Sequence, residues 1–526
     1  PLYCIWMKLF QLFLSLSLLS GCAQQPTPKT STEQQEPLAA NKVVSVLDSW
    51  QVSQPTIDEN INNDLWQRII SAYDLNHDID NNRVQAHLNW FKKHQGYMDR
   101  VANRGERYMY YIAEQIDVRG IPGELALLPI VESAFDPFAY SHGRASGVWQ
   151  FIPSTGRDFG LTQDWWYDGR RDIQASTQAA LSYLEALQRE FKGDWLLALA
   201  AYNTGAGNVR KAIRKNKRQG KPTDFWSLQL PRETRDYVPK LIALAQLVKY
   251  PEKNGIELPP LENKPYFATV NTGGQIDLSQ LAEISDTDIE EIYKLNPGFN
   301  RWATHPNSKH QVLIPVDKVD TFNRELAALP ANERMKWQRY KVKSGDSLIT
   351  IAKKYHTTPE VLRDSNGLRK NLIRIGDQLL IPSAYKAQNS YSHSANSRLA
   401  KTQYSRRGKT SGKLEYKVRS GDSFWEIARD HKVGIKELAK WNGMAPGDTL
   451  KQGQKLVIWG QKSSAREQRE VIRKLTYTVR NGDSMARIAG KFKVQVQDIQ
   501  RWNRKMAKNK YLQPGQKLTL YVDVTN

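Results

Sequence analysis

Residues 128–137 read Leu-Pro-Ile-Val-Glu-Ser-Ala-Phe-Asp-Pro and set an ionisable side chain, Glu132, among apolar neighbours. Withholding water from a carboxylate disfavours its charged form, so such a group keeps a proton to higher pH. A protonated carboxyl in a cleft is what cleavage of a glycosidic bond requires of its acid. Asp136, four positions on and followed by Pro137, suits a turn or cap better than a partner carboxylate. Two clusters follow, Gly-Val-Trp-Gln-Phe at 147–151 and Ala-Tyr-Asn-Thr-Gly at 201–205, and together they suggest a sugar-cleaving site.

Around these clusters, residues 46–260 carry helical periodicity. Leu65, Ile69 and Ala72 recur at helical spacing, as do Tyr108, Ile112 and Ala113, and then Leu181, Leu184, Leu187 and Phe191, with Gly193 as a stop. Pro251 and Pro259-Pro260 close the domain. His87 and His94 lack the spacing and the Glu of a zinc-binding helix and are expected at the surface. No phosphate-cradling glycine loop is present, and neither a metal site nor a cofactor is expected.

The C-terminal part repeats. Tyr-Lys-Val-Lys-Ser-Gly-Asp-Ser at 340–347 recurs at 416–423 and 477–484, each time followed by an amphipathic helix. Asp346, Asp422 and Asp483 are each followed twenty positions later by an asparagine, Asn366, Asn442 and Asn503. Short strand, two helices, short strand gives a small βααβ unit. The units span 340–383, 415–459 and 476–522, joined by a basic linker at 384–414, free of acids and expected to be flexible, and a second linker at 460–475. Residues 261–316 look like a degenerate copy whose Asp277 lacks the preceding glycine, so binding there is doubtful.

The chain has 526 residues and a net charge of +22, too long for one core. Residues 340–526 hold 38 Lys/Arg against 15 Asp/Glu, so the basicity belongs to the repeats and points to an anionic polymer. Met7-Lys8 opens an apolar run too short to span a bilayer and of signal-peptide length, making Met7 the expected start. It ends in Leu19-Ser20-Gly21-Cys22, which resembles the lipobox of bacterial lipoproteins. That implies a signal peptide at 1–21, lipidation of Cys22, a Gln/Pro/Thr/Ser-rich tether at 22–45, and an outer-membrane lipoprotein facing the periplasm. An exported chain argues against nucleic acid as the partner. Only Cys4 and Cys22 are present, so there is no disulfide framework.

In their order, the 128–137, 147–151 and 201–203 segments resemble the lytic transglycosylases of the goose-lysozyme type, and the resemblance extends through 167–172 and 233–240. The repeats resemble LysM domains. The implied fold is multidomain, a mainly α lysozyme-like catalytic domain followed by small α+β LysM modules. Glu132 is then the catalytic acid, cleaving between N-acetylmuramic acid and N-acetylglucosamine of peptidoglycan. Ordinary glycosidases need a second carboxylate. This family pattern uses the substrate's acetamido group and its own C6 hydroxyl, leaving a 1,6-anhydro end.

The resemblance gives Ser133 a hydrogen bond near the acid or to the acetamido carbonyl, Gln150 one to a sugar hydroxyl, and Tyr202 and Asn203 the acetamido group. Tyr237 would orient Glu132. Trp149, where related enzymes often carry Met, either walls the cleft or packs in the core. In the LysM copies the implied glycan groove lies between two loops. The first copy offers Gly345, Asp346, Ser347 and Leu348 with Ile375 and Gly376, and the second Gly421, Asp422, Ser423 and Phe424 with Gly453 and Gln454. The third offers Gly482, Asp483, Ser484 and Met485 with Gly515 and Gln516. A hydrolytic muramidase and a non-catalytic wall-binding scaffold are the alternatives. On this organisation, deleting 340–526 should weaken retention on sacculi and spare Glu132 chemistry.

Overall fold

The computed structural model describes residues 63–523 except 78, 80, 142, 356, 406–410, 462–471, 493, 495 and 504–511. The expected signal peptide, Cys22 and the tether lie outside the described residues. Among the described residues no helix is long and apolar enough to cross a membrane.

The first part is helical, as the periodicity predicts. Its centre is Trp195–Thr204, in which Leu197 through Ala201 are all buried. A helix apolar on every side has to sit inside the others, and this one packs on Ile173–Glu190, Ala206–Arg218 and Arg232–Lys249. Asp194 caps it by accepting from the Leu197 amide at 3.0 Å. Ile173–Glu190 stops two residues before left-handed Lys192 and Gly193, whose amide bonds back to the Gln188 carbonyl.

Four βααβ modules follow, each closed by one antiparallel strand pair: Phe267–Asn271 with Gln311–Pro315, Lys336–Lys341 with Gln378–Ser383, Ser411–Lys417 with Lys455–Gln461, and Ile472–Thr478 with Lys517–Asp523. The recurrent asparagine ties the second helix to the last strand. Asn442 donates to the Leu438 and Val457 carbonyls, both at 2.8 Å, and accepts from the Val457 amide at 2.7 Å. Asn366 and Asn503 repeat these bonds. So does Asn296, which places 266–316 in the same fold. A buried side chain that satisfies three backbone groups cannot be traded for an apolar one without orphaning them.

The 384–414 segment is not a free linker. Tyr391 is 2% exposed, Ala395–Tyr404 is a helix capped by Ser394, and Ser411–Lys417 is already a strand of the next module. The segment straps the first LysM-like module to the helical domain: His393 stacks on Phe138 at 4.7 Å, and Arg398 lies over the same ring at 4.9 Å. The Ala395 amide donates to the Asn300 carbonyl. Composition misled here because basic, polar residues satisfy a docked surface as readily as solvent. Deleting 340–526 therefore removes this strap together with the repeats. A chain ending at 404 should melt with the helical domain intact, whereas one ending at 339 should melt about 5 °C lower or more in calorimetry. Equal melting temperatures would contradict the strap.

Candidate active site

Glu132 lies in the last turn of Leu128–Ser133, a short helix opened by Pro129. Ala134 and Phe135 end it, both left-handed at φ 51° and 54°. Left-handed backbone costs an ordinary residue roughly 1–2 kcal/mol, and burial of the Phe135 ring against Gly105 and Tyr108 offsets that. The turn fixes Glu132 on the wall of a cleft of about 670 Å³.

The 147–151 loop adds Gln150 and Phe151 to the cleft lining. Gly147 has φ 82°, and a Cβ there would meet the Arg170 carbonyl oxygen, so only glycine fits. Arg170 clasps Asp168 with both ends of its guanidinium, at 2.9 and 2.8 Å, and donates to the Arg144 and Phe151 carbonyls. Arg171 bonds Ser146, and Asp172 caps Ile173–Glu190. The 167–172 cluster is thus a brace for this loop, and Asp136 is a turn residue accepting from the Phe138 amide.

The acid is held from one side. The Tyr237 hydroxyl donates to Glu132 Oε1 at 2.6 Å, and Lys240, one turn further, reaches the Val131 carbonyl at 3.3 Å. Burial pushes the Glu132 carboxyl up to about 7; the Tyr237 bond and the Lys240 charge pull it down, and Glu233 adds to the rise. Burial keeps Tyr237 and Tyr202 protonated, with the Glu132 charge reinforcing the effect. Burial also lowers Lys240, and Glu132 opposes this.

The structure brings Glu132, Gln150, Tyr202, Asn203 and Tyr237 together around this cleft. Gln150, left-handed at φ 52°, donates to the Gly147 carbonyl at 2.8 Å. Tyr202 donates to the Trp149 carbonyl at 2.8 Å, and Asn203 accepts from Thr234 with its oxygen, leaving its amide nitrogen for a ligand. One expectation is corrected and one open alternative is decided. Ser133 turns away from the acid and donates to the Pro129 carbonyl of its own helix turn at 3.1 Å and to the Val148 carbonyl at 3.0 Å. Trp149 is fully buried and donates to Thr177 at 3.0 Å, so it is core and not cleft wall.

Sequence reasoning missed His87, Tyr183, Glu233, Asp236 and Lys240, all of which line the cleft. Glu233, Asp236, Tyr237 and Lys240 are spaced three, four and seven positions apart on Arg232–Lys249, one face of a helix, and that spacing was a usable signal. His87, expected at the surface, is partly buried beside Asp236; burial lowers its pKa and Asp236 opposes this.

In the LysM copies the Gly-Asp-Ser residues build the loop. Asp346 accepts from the Tyr340 hydroxyl at 2.7 Å and the Lys343 amide at 2.8 Å, and Asp422 and Asp483 repeat this. Ser347, Ser423 and Ser484 cap the next helix, and Leu348 and Phe424 are core residues. Burial takes the Leu348 and Phe424 side chains out of direct glycan contact. Gln454 and Gln516 each accept a backbone amide of their own turn. Exposed apolar groups include Ile349, Leu372 and Ile375 in the first copy and Trp425 in the second.

Fold and cleft together define a lysozyme-like domain carrying LysM modules. Residues 110–225 match the transglycosylase SLT domain, 266–331 the LysM-like domain of lytic transglycosylase MltD, and 340–382, 416–459 and 477–520 the LysM domain. The chain is 38% identical over 389 residues to the membrane-bound lytic murein transglycosylase D of Escherichia coli K12, covering 70% of this chain and 81% of that protein. It is 28% identical to an autolysin of Enterococcus faecalis over 31% of this chain and 22% of that one. The lytic transglycosylase Slt of Pseudomonas aeruginosa, solved as an inactive mutant, aligns over 28% of this chain and 24% of its own at 23% identity and a TM-score of 0.21, too low to carry an argument. The chain belongs to the membrane-bound lytic murein transglycosylase D family.

Tyr237 stabilises the ionised form of Glu132, so Tyr237→Phe should move the Glu132 pKa further above about 7. Carbon-13 NMR titration of the carboxyl measures this; an unchanged or lowered midpoint contradicts the assigned contact.

Proposed function

We propose that Glu132 is the single acid–base group of a lytic transglycosylase that cuts peptidoglycan. The observation that carries this is a half-buried carboxyl raised to about 7, oriented by a phenol at 2.6 Å, on the wall of a cleft large enough for sugar rings. Protonated Glu132 gives its proton to the glycosidic oxygen as the bond to C1 of N-acetylmuramic acid breaks. The 2-acetamido group assists, and Asn203 holds it through the amide nitrogen left free by Thr234. The C6 hydroxyl then bonds C1 and passes its proton to the Glu132 carboxylate. The tethered hydroxyl has a high effective concentration, and no water is consumed.

The hydrolytic reading is favoured by one observation, that Glu233 and Asp236 also line the cleft and could activate water. Mass analysis of muropeptides from purified sacculi separates the two. Anhydro ends are expected; reducing ends one water heavier would favour hydrolysis, and no soluble product from folded protein the scaffold. Glu132→Gln should retain sacculus binding and lose cleavage by a factor of about 10² or more. Wild-type rates should fall as pH rises through about 7, where the acid is deprotonated.

The LysM copies bind peptidoglycan, and several weak sites on one chain raise avidity for a polymer. Backbone amides near Gly345, Gly421 and Gly482, with φ 83°, 90° and 84°, are the contacts proposed for N-acetyl groups. Beside them, Ile349 and Ile375 or Trp425 offer apolar surface to sugar faces. The family's membrane-bound relative and the Leu19–Cys22 motif support a lipid anchor at Cys22 in the outer membrane. Cys22→Ser should shift the protein from the membrane to the soluble periplasmic fraction, and unchanged membrane retention would overturn the anchor.

A further inference from the structure

The 266–316 module repeats the LysM fold but not its open groove. Asp277 caps Leu278–Ile284 as Ser347 caps Leu348–Lys354, so it stands at the serine position and not at that of Asp346, which Ile276 takes. In the first LysM copy the loop is satisfied within its own turns: the Asp346 amide bonds the Lys343 carbonyl and the Ser347 amide bonds Thr350. Its groove edge stays in water, with Ile349 68% and Ile375 72% exposed.

In the 266–316 module the corresponding amides are taken by other parts of the chain. Ile276 donates to Thr304 Oγ1 at 3.0 Å, Asp277 to the Arg334 carbonyl at 3.0 Å, and Leu278 to the Trp302 carbonyl at 2.7 Å. The two groove loops are joined directly, and Ile276, Asp277, Ala303 and Thr304 have no exposed surface. The strap completes the closure. The Tyr391 hydroxyl lies 2.9 Å from both Asp277 carboxylate oxygens, and the Tyr385 amide donates to Asp277 Oδ2 at 3.0 Å. On its other side the module is welded to the helical domain by the Arg107–Glu291 pair, at 2.6 and 2.8 Å, and by the Tyr108 hydroxyl on the Lys294 carbonyl.

We propose that the 266–316 module has exchanged glycan binding for an intramolecular ligand: it holds the chain's own 384–398 segment at the position where the other three copies present an open groove, and so serves as the bracket between strap and helical domain. The proposal rests on the reading of the three open copies as glycan sites. A closed module adds nothing to avidity, and it sets the cleft on a rigid mount.

Hydrogen exchange by mass spectrometry on the full chain, free and with chitohexaose as probe, tests it. Amides 274–278 should exchange slowly in the free chain and be unchanged by the sugar, while 345–349, 421–425 and 482–486 become protected. Tyr391→Phe should speed exchange at 274–278 by about tenfold, the loss of one buried hydrogen bond, and leave 345–349 alone. Fast exchange at 274–278 in the free chain, or new protection there on adding chitohexaose, overturns the proposal. No protection at the three open loops would instead refute their assignment as glycan sites, with free-chain exchange at 274–278 still deciding whether the 266–316 groove is closed.

Discussion

A carboxyl group that is to hold a proton near neutral pH must be kept from water, and still be reachable by a substrate. Most of the helical domain serves that constraint. The buried Trp195–Thr204 helix gives the domain a dry centre, and Leu128–Ser133, packed on Arg232–Lys249, ends in two left-handed residues that set Glu132 on the cleft wall. Arg232–Lys249 brings Tyr237 and Lys240 to the same spot. Desolvation raises the acid, and these two groups limit the rise, which keeps the proton transferable in both directions. The Arg170–Asp168 clasp acts at one remove, by fixing the loop that carries Gln150.

The four βααβ modules show how one fold can serve two ends. Each is held by an asparagine that bridges helix and strand, and this is independent of whether the groove is open. What differs is the fate of a few backbone amides. Where the chain satisfies them within a turn, the loop edge faces water; where Trp302, Thr304 and Arg334 satisfy them, the edge is interior. Small domains of this kind bury little surface alone, so a copy docked on a larger neighbour gains stability as it loses access to a ligand.

Much of this was legible in the sequence because it rests on local pattern. Glu132 amid apolar residues, the helical periods, the three Gly-Asp-Ser repeats and the Asp–Asn spacing each name one element, and the elements formed where expected. The errors fall on side chains whose direction depends on a neighbour distant in sequence. Trp149 points to Thr177, and Ser133 to Val148. His87 faces Asp236 across the cleft wall. The 384–414 segment has the composition of a linker, and only Phe138, Asn300 and Asp277 make part of it a strap.

By itself the sequence determined which residues can do the chemistry and how many modules accompany them, because both follow from residue type and spacing. Tertiary structure alone decided which of those residues share a cleft, which are spent on holding it open, and which copy of the repeat is shut. The physical reason is that hydrogen-bond capacity is finite. A donor or acceptor seen in sequence is available for a substrate only if no other part of the folded chain has already taken it.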